Sequence, residues 1–127
     1  MRLLLDTHVF LWFMAGDERL SKKARDAIMD EESELYLSAV SVWEMAIKAG
    51  MNRLTLPTSV AESVAEKVNQ GFMMLPITWE HAADVQLLPF HHRDPFDRLL
   101  IAQANAEKMP IISGDRFFRH YGIRVIW

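Results

Sequence analysis

The sequence predicts an α/β domain with a central parallel β-sheet flanked by α-helices. Three observations carry this. Five short apolar runs recur along the chain, most of them separated by longer segments with helical periodicity, and helix start and stop residues fall between them. At 127 residues with half of them apolar, the chain has the length and composition of one domain with a real core, so residues 1–127 are read as a single unit.

The first run, Leu3-Leu4-Leu5, reads as a strand that ends at Asp6. Val9 to Met14 follows as a helix with no polar face, which must be buried on all sides or partly covered by a partner protein. Ser21 precedes the helical stretch Lys22 to Ile28 as an N-cap, and Leu35-Tyr36-Leu37 is the second strand. A helix containing Trp43, Ile47 and Lys48 starts at Ser38 or Ser41 and is closed by Gly50. Thr58 opens a helix with Val60, Val64 and Val68 on one face, Gly71 ends it, and Met73-Met74-Leu75 is the third strand. Asp94-Pro95 pairs an N-cap acid with proline at the first helical position, opening a helix that runs through the apolar Leu99-Leu100-Ile101-Ala102. Pro110-Ile111-Ile112 and Val125-Ile126 are the last two strands. There is no repeat, low-complexity tract or linker.

Composition narrows the function. The absence of cysteine removes disulfide frameworks, thiolate zinc sites and cysteine nucleophiles, and fits a reducing compartment. Asp6 interrupts the N-terminal apolar stretch too early for a signal peptide, and no later run is of membrane length, so a cytoplasmic protein with no membrane association is expected. Fourteen basic against seventeen acidic residues give a net charge of −3, which excludes nucleic-acid binding by bulk positive charge and leaves only local contacts.

Four acids stand where open α/β folds bind ligands. Asp6 ends the first strand; alone it is as readily a helix cap. Glu44 lies three residues after Ser41, a capping-box spacing, yet in a helix begun at Ser38 it is nearly two turns in, among Val42, Trp43, Met45 and Ala46, where an acid needs a partner. Asp97 follows Asp94 by three residues, so Asp94 can cap while Asp97 projects from the first turn, although any first-turn acid also suits the helix dipole. Asp115, in Ser113-Gly114-Asp115, follows the fourth strand, where Gly-Asp is also a common turn. Two acids at strand ends and two in following helices together read as an all-oxygen metal site for Mg²⁺, with Mn²⁺ as the alternative ion. His91, His92 and His120 lack zinc spacing and are read as polar surface, not as a zinc site or a general acid–base pair.

Leu4-Leu5-Asp6-Thr7-His8, the turn from Ser41 to Glu44, the block from Asp94-Pro95-Phe96-Asp97-Arg98 to Ala104, and Ser113-Gly114-Asp115 resemble, in order and spacing, the signatures of PIN-domain toxins of the VapC type. The resemblance implies a PIN-like domain acting as a metal-dependent endoribonuclease, the toxin of a VapBC-type toxin–antitoxin pair. It also implies a homodimer, an RNA substrate and a cognate antitoxin. Carried over by position, Asp6, Glu44 and Asp97 form the metal-site core, Asp115 completes it directly or through water, and Asp94 caps the helix bearing Asp97. Thr7 and Ser113 are expected to hydrogen-bond the acids or a phosphate. The antitoxin is expected to cover apolar surface around Phe10, Trp12 and Phe13 and to bring a basic side chain to the acids. Arg93, Arg98, Arg116 and Arg119 are read as contacts to RNA phosphates or as solvated charges and partners of nearby acids. Two alternatives stand beside this: a catalytically silent PIN-like interaction module, and a receiver-like phosphoacceptor domain. The second lacks the acid pair after the first strand and the lysine ending the last-but-one strand.

Overall fold

A computed structural model describes all 127 residues. Five strands, β1 (Arg2–Leu5), β2 (Glu34–Ser38), β3 (Met73–Leu75), β4 (Ile111–Ile112) and β5 (Val125–Ile126), form one parallel sheet in the order β3-β2-β1-β4-β5. All five apolar runs of the sequence are strands. The chain builds outward from β1 to β3 on one side, then returns to lay β4 and β5 on the other, so the order reverses at the β1/β4 seam. At such a reversal the two connecting segments leave in opposite directions and open a crevice beyond the strand ends. Leu5 is in register with Ile112, which puts Asp6 and Ser113 side by side at the mouth of that crevice.

Six α-helices cover the sheet: α1 (Thr7–Ala15), α2 (Lys22–Met29), α3 (Ala39–Gly50), α4 (Val60–Asn69), α5 (Trp79–Asp84) and α6 (Pro95–Glu107). Alternation along β1 divides the core. Leu3 and Leu5 pack with Val9, Phe10, Ala24 and Ile28 on one side, while Leu4 packs with Leu100, Ile101, Ala104 and Phe118 on the other. The apolar α1 is largely consumed by this packing. Phe10 is fully buried against Phe72, whereas Trp12, against Trp127, and Phe13, against Phe72, stay partly exposed, so of the three rings expected to form a partner surface only Phe10 is internal. A helix apolar all round is satisfied here by aromatic neighbours that arrive from distant parts of the chain.

Several boundaries differ from the sequence expectation by a residue or two. Ser59, not Thr58, caps α4 by accepting from the Glu62 N–H, and Thr58 instead hydrogen-bonds Ser63. Gly50 is the last helical residue of α3; Met51 follows as the C-cap, and the left-handed residue of that turn is Asn52, with φ 57°. Helix α5 and the 3₁₀ segments Val85–Leu87 and Arg116–Tyr121 have no counterpart in the sequence reading.

Candidate active site

Asp6 serves both roles open to it. It follows β1, and it is the N-cap of α1, its Oδ1 accepting from the N–H groups of His8 (2.6 Å) and Val9 (3.2 Å). Its Oδ2 accepts from the Ser113 hydroxyl at 2.6 Å, and the same Ser113 oxygen accepts the Asp115 N–H at 3.0 Å. One serine at the end of β4 thus joins the two acids at the strand ends. Asp115 in turn caps the Arg116–Tyr121 segment, its Oδ1 accepting from Phe117 N–H.

Helix α3 begins with Ser38 as its N-cap, so Glu44 is not half of a capping box. Its side chain is 2% exposed. Oε2 accepts from Lys48 Nζ at 2.6 Å, but Oε1 has no hydrogen-bond partner at all. A carboxylate oxygen buried without a partner loses its hydration with nothing in return, a cost of about 1–3 kcal/mol or more. Thr7 gives its hydroxyl proton to Ser41 at 2.8 Å and so tethers α1 to α3; it donates to none of the four acids.

Asp94 caps α6, its Oδ1 accepting from Phe96 N–H and Asp97 N–H, with Pro95 at the first helical position. Asp97 then projects from the first turn into the other acids. Burial is the main reason its carboxyl is pushed up to about 8, followed by the charges of Asp94, Asp6, Glu44 and Asp115. Asp6 is also raised, because burial outweighs the lowering effects of Ser113, His8 and the two backbone N–H groups. The four acids of the sequence reading therefore converge on one electrostatic site. An open cleft of about 300 Å³ lined by Asp6, His8, Trp12, Gly114 and Asp115 leads into it.

Such crowding fits a hard divalent cation. Carboxylates that repel one another in a poorly solvated place, one with an orphaned oxygen, form the donor set that Mg²⁺ or Mn²⁺ takes.

The sequence reading missed two residues. His92 is not loose surface: its Nε2 lies 2.7 Å from Asp115 Oδ2 and 3.1 Å from Asp97 Oδ2. The available signal was its place two residues before a helix cap, from which its Nδ1 accepts the Asp94 N–H. Arg98 is buried, and its guanidinium donates to the carbonyls of Val85, Leu88, Pro89 and His92, so it braces the loop ahead of α6 and is withheld from RNA. His91 and His120 stay exposed with their rings tilted against one another, whereas Arg93, Arg116 and Arg119 remain free to meet solvent.

The PIN domain family profile matches residues 3–123. "Ribonuclease VapC22" of Mycobacterium tuberculosis is 33% identical over 120 residues, covering 94% of this chain and 91% of the relative. Among solved structures, VapBC2 from Rickettsia felis bound to a promoter DNA fragment shares the fold with a TM-score of 0.72 at 10% identity, covering 98% of this chain and 97% of that one. FitAcB from Neisseria gonorrhoeae does so with a TM-score of 0.67 at 20% identity, covering 97% and 95%.

Proposed function

The chain belongs to the PIN-domain family, and from that premise we propose that it is a metal-dependent endoribonuclease, the toxin of a toxin–antitoxin pair. The observation that carries the proposal is the convergence of Asp6, Glu44, Asp97 and Asp115 at the β1/β4 seam, with Glu44 Oε1 buried and unpartnered. A silent interaction module has no use for that arrangement, since burial raises the carboxyls of Asp6 and Asp97 and strands Glu44 Oε1 until a cation binds.

Asp6, Glu44 and Asp97 are the residues that hold Mg²⁺, and Asp115 completes the set directly or through water. Ser113 fixes Asp6 and Asp115 relative to each other, and Asp94 aims the helix turn that carries Asp97. Bound there, the ion supplies Lewis acidity to a phosphate oxygen and lowers the pKa of a water. Attack of water in line on phosphorus breaks the P–O3′ bond and leaves a 5′-phosphate and a 3′-hydroxyl. The exposed Arg93, Arg116 and Arg119 contact flanking phosphates, local positive charge on a chain that is acidic overall.

The partner is a cognate antitoxin, as in the toxin–antitoxin complexes that this fold resembles. With Phe10 internal, we assign its docking to the partly exposed Trp12 and Phe13 of α1 and the adjoining cleft of about 240 Å³ where Leu11 and Met14 face Leu56, Pro57, Glu66 and Lys67. The exposed Trp79, Leu87 and Phe90 offer the apolar surface for a homodimer. No helix is long and apolar enough to cross a membrane, and we place the protein in the cytoplasm with its RNA substrate.

The test is cleavage of single-stranded RNA by the purified protein with Mg²⁺, with EDTA, and with Asp6→Asn or Asp97→Asn. The expected result is EDTA-sensitive cleavage to 5′-phosphate ends that both substitutions abolish in folded protein. Metal-dependent cleavage surviving in both variants overturns the assignment.

A further inference from the structure

We infer that His92 is a positioning residue, a hydrogen-bond donor to Asp115 that stands between it and Asp97, and not a ligand of the metal; this rests on the nuclease reading above. The imidazole's two nitrogens have different partners. Nδ1 lies 3.1 Å from the backbone nitrogen of Asp94, and a backbone N–H always carries its hydrogen, so Nδ1 presents its lone pair. The proton of the neutral ring is then on Nε2, where it faces Asp115 Oδ2 at 2.7 Å and Asp97 Oδ2 at 3.1 Å. Ligation through Nε2 requires the other tautomer, which would set two hydrogens against each other at the Asp94 amide.

The ring is held in that orientation from three directions. Tyr121 Oη accepts the N–H groups of both His91 and His92, at 3.0 and 2.7 Å, and Arg98 draws in the carbonyls of the same loop. Phe117 and Phe118 pack on the imidazole, with ring centroids 5.4 and 5.9 Å away. Asp94 is the common member: its N–H orients His92 while its carboxylate caps the helix that bears Asp97. An N–H given to Asp115 and lying 3.1 Å from Asp97 lets the two acids stand together before a cation arrives, and it keeps the donor set all-oxygen. His92, Asp97 and Asp115, whose donor atoms lie within 4.8 Å of one another, thus resemble a histidine-containing metal site without being one.

The tautomer is read directly from long-range ¹H–¹⁵N spectra of histidine-labelled protein, with His92 assigned by its absence in His92→Gln. The Nε2–H form is expected both without metal and with saturating Mg²⁺. The Nδ1–H form, or loss of the Nε2 proton when Mg²⁺ is added, overturns the inference. Calorimetric Mg²⁺ titration without RNA gives the second readout. His92→Ala is expected to bind Mg²⁺ about tenfold more weakly, and His92→Gln, whose amide N–H can stand where Nε2–H stands, to recover most of that loss. Equal weakening in both variants, or unchanged affinity in His92→Ala, overturns the donor role. Absence of Mg²⁺ binding by the wild-type protein overturns the proposed function instead, and the metal-free tautomer still decides what His92 does.

Discussion

Asp97 holds a proton to about pH 8 in the metal-free fold, whereas an unfolded aspartate releases it near 4. Between these values the folded state binds more protons than the unfolded one, so stability falls as pH rises through the window. Asp6 shifts the same way and adds to the trend. The metal-free protein is therefore expected to melt at progressively lower temperature from pH 4 to pH 8, a total change of several kcal/mol in the absence of other titrations. Asp97→Asn is expected to flatten that profile, which calorimetric scans in EDTA will measure. Arg98 makes an independent prediction. Arg98→Ala strips four carbonyls of their donor and is expected to destabilise by roughly 2–4 kcal/mol, with faster amide exchange at His91 and His92. Neither role was legible from sequence. An arginine after Asp-Pro-Phe-Asp reads equally as a phosphate contact, and only the path of the 85–92 loop decides where its donors go.

Among the elements, the strands were the most legible, because a sheet buried on both faces demands uninterrupted apolar runs. Helix α5 was the least. Trp79-Glu80-His81-Ala82-Ala83-Asp84 is too short to show a periodic stripe, and it is held by a capping box between Thr78 and His81 that uses histidine where the sequence rule looks for glutamate or glutamine. Glu44 was legible through its apolar neighbours, since chain-local context was enough to show an acid in need of a partner. The sequence placed Asp115 among the metal-site acids and offered Gly-Asp as a common turn, but Gly114 has a tertiary reason that neither reading contained: a Cβ there would come within 2.7 Å of the Trp127 ring. Gly114→Ala is expected to cost about 1–3 kcal/mol and to displace Asp115, so Mg²⁺ affinity should drop together with the melting temperature. Full Mg²⁺ affinity in a destabilised variant would show that the turn can yield without moving the acid.

For the molecule as a whole, the sheet order could not be read from the sequence, because parallel strands of nearly identical composition carry no label for their neighbours. Yet that order, reversing at β1, is what gathers acids separated by more than a hundred residues. A ligand that binds only the gathered arrangement stabilises the entire fold by mass action, about 2.7 kcal/mol at a hundredfold excess over Kd. Mg²⁺ at pH 8 is thus expected to raise the melting temperature of the wild-type protein and to leave that of Asp6→Asn nearly unchanged. Asn still caps α1, so this variant separates the cap from the cation.

The unpartnered oxygen of Glu44 and the crowded charges around Asp97 have a consequence for inheritance. Most substitutions weaken a protein, but here a single base change from Asp97 to Asn removes the cost of holding a buried carboxyl protonated in the metal-free fold. Under relaxed selection, copies of this gene can lose the toxin's activity by a route that is downhill in folding free energy. Inactive descendants that keep a well-folded domain are the lineage this site favours: Asp6 and Asp115 still serve as caps, whereas need for the reaction is what holds Asp97 in place.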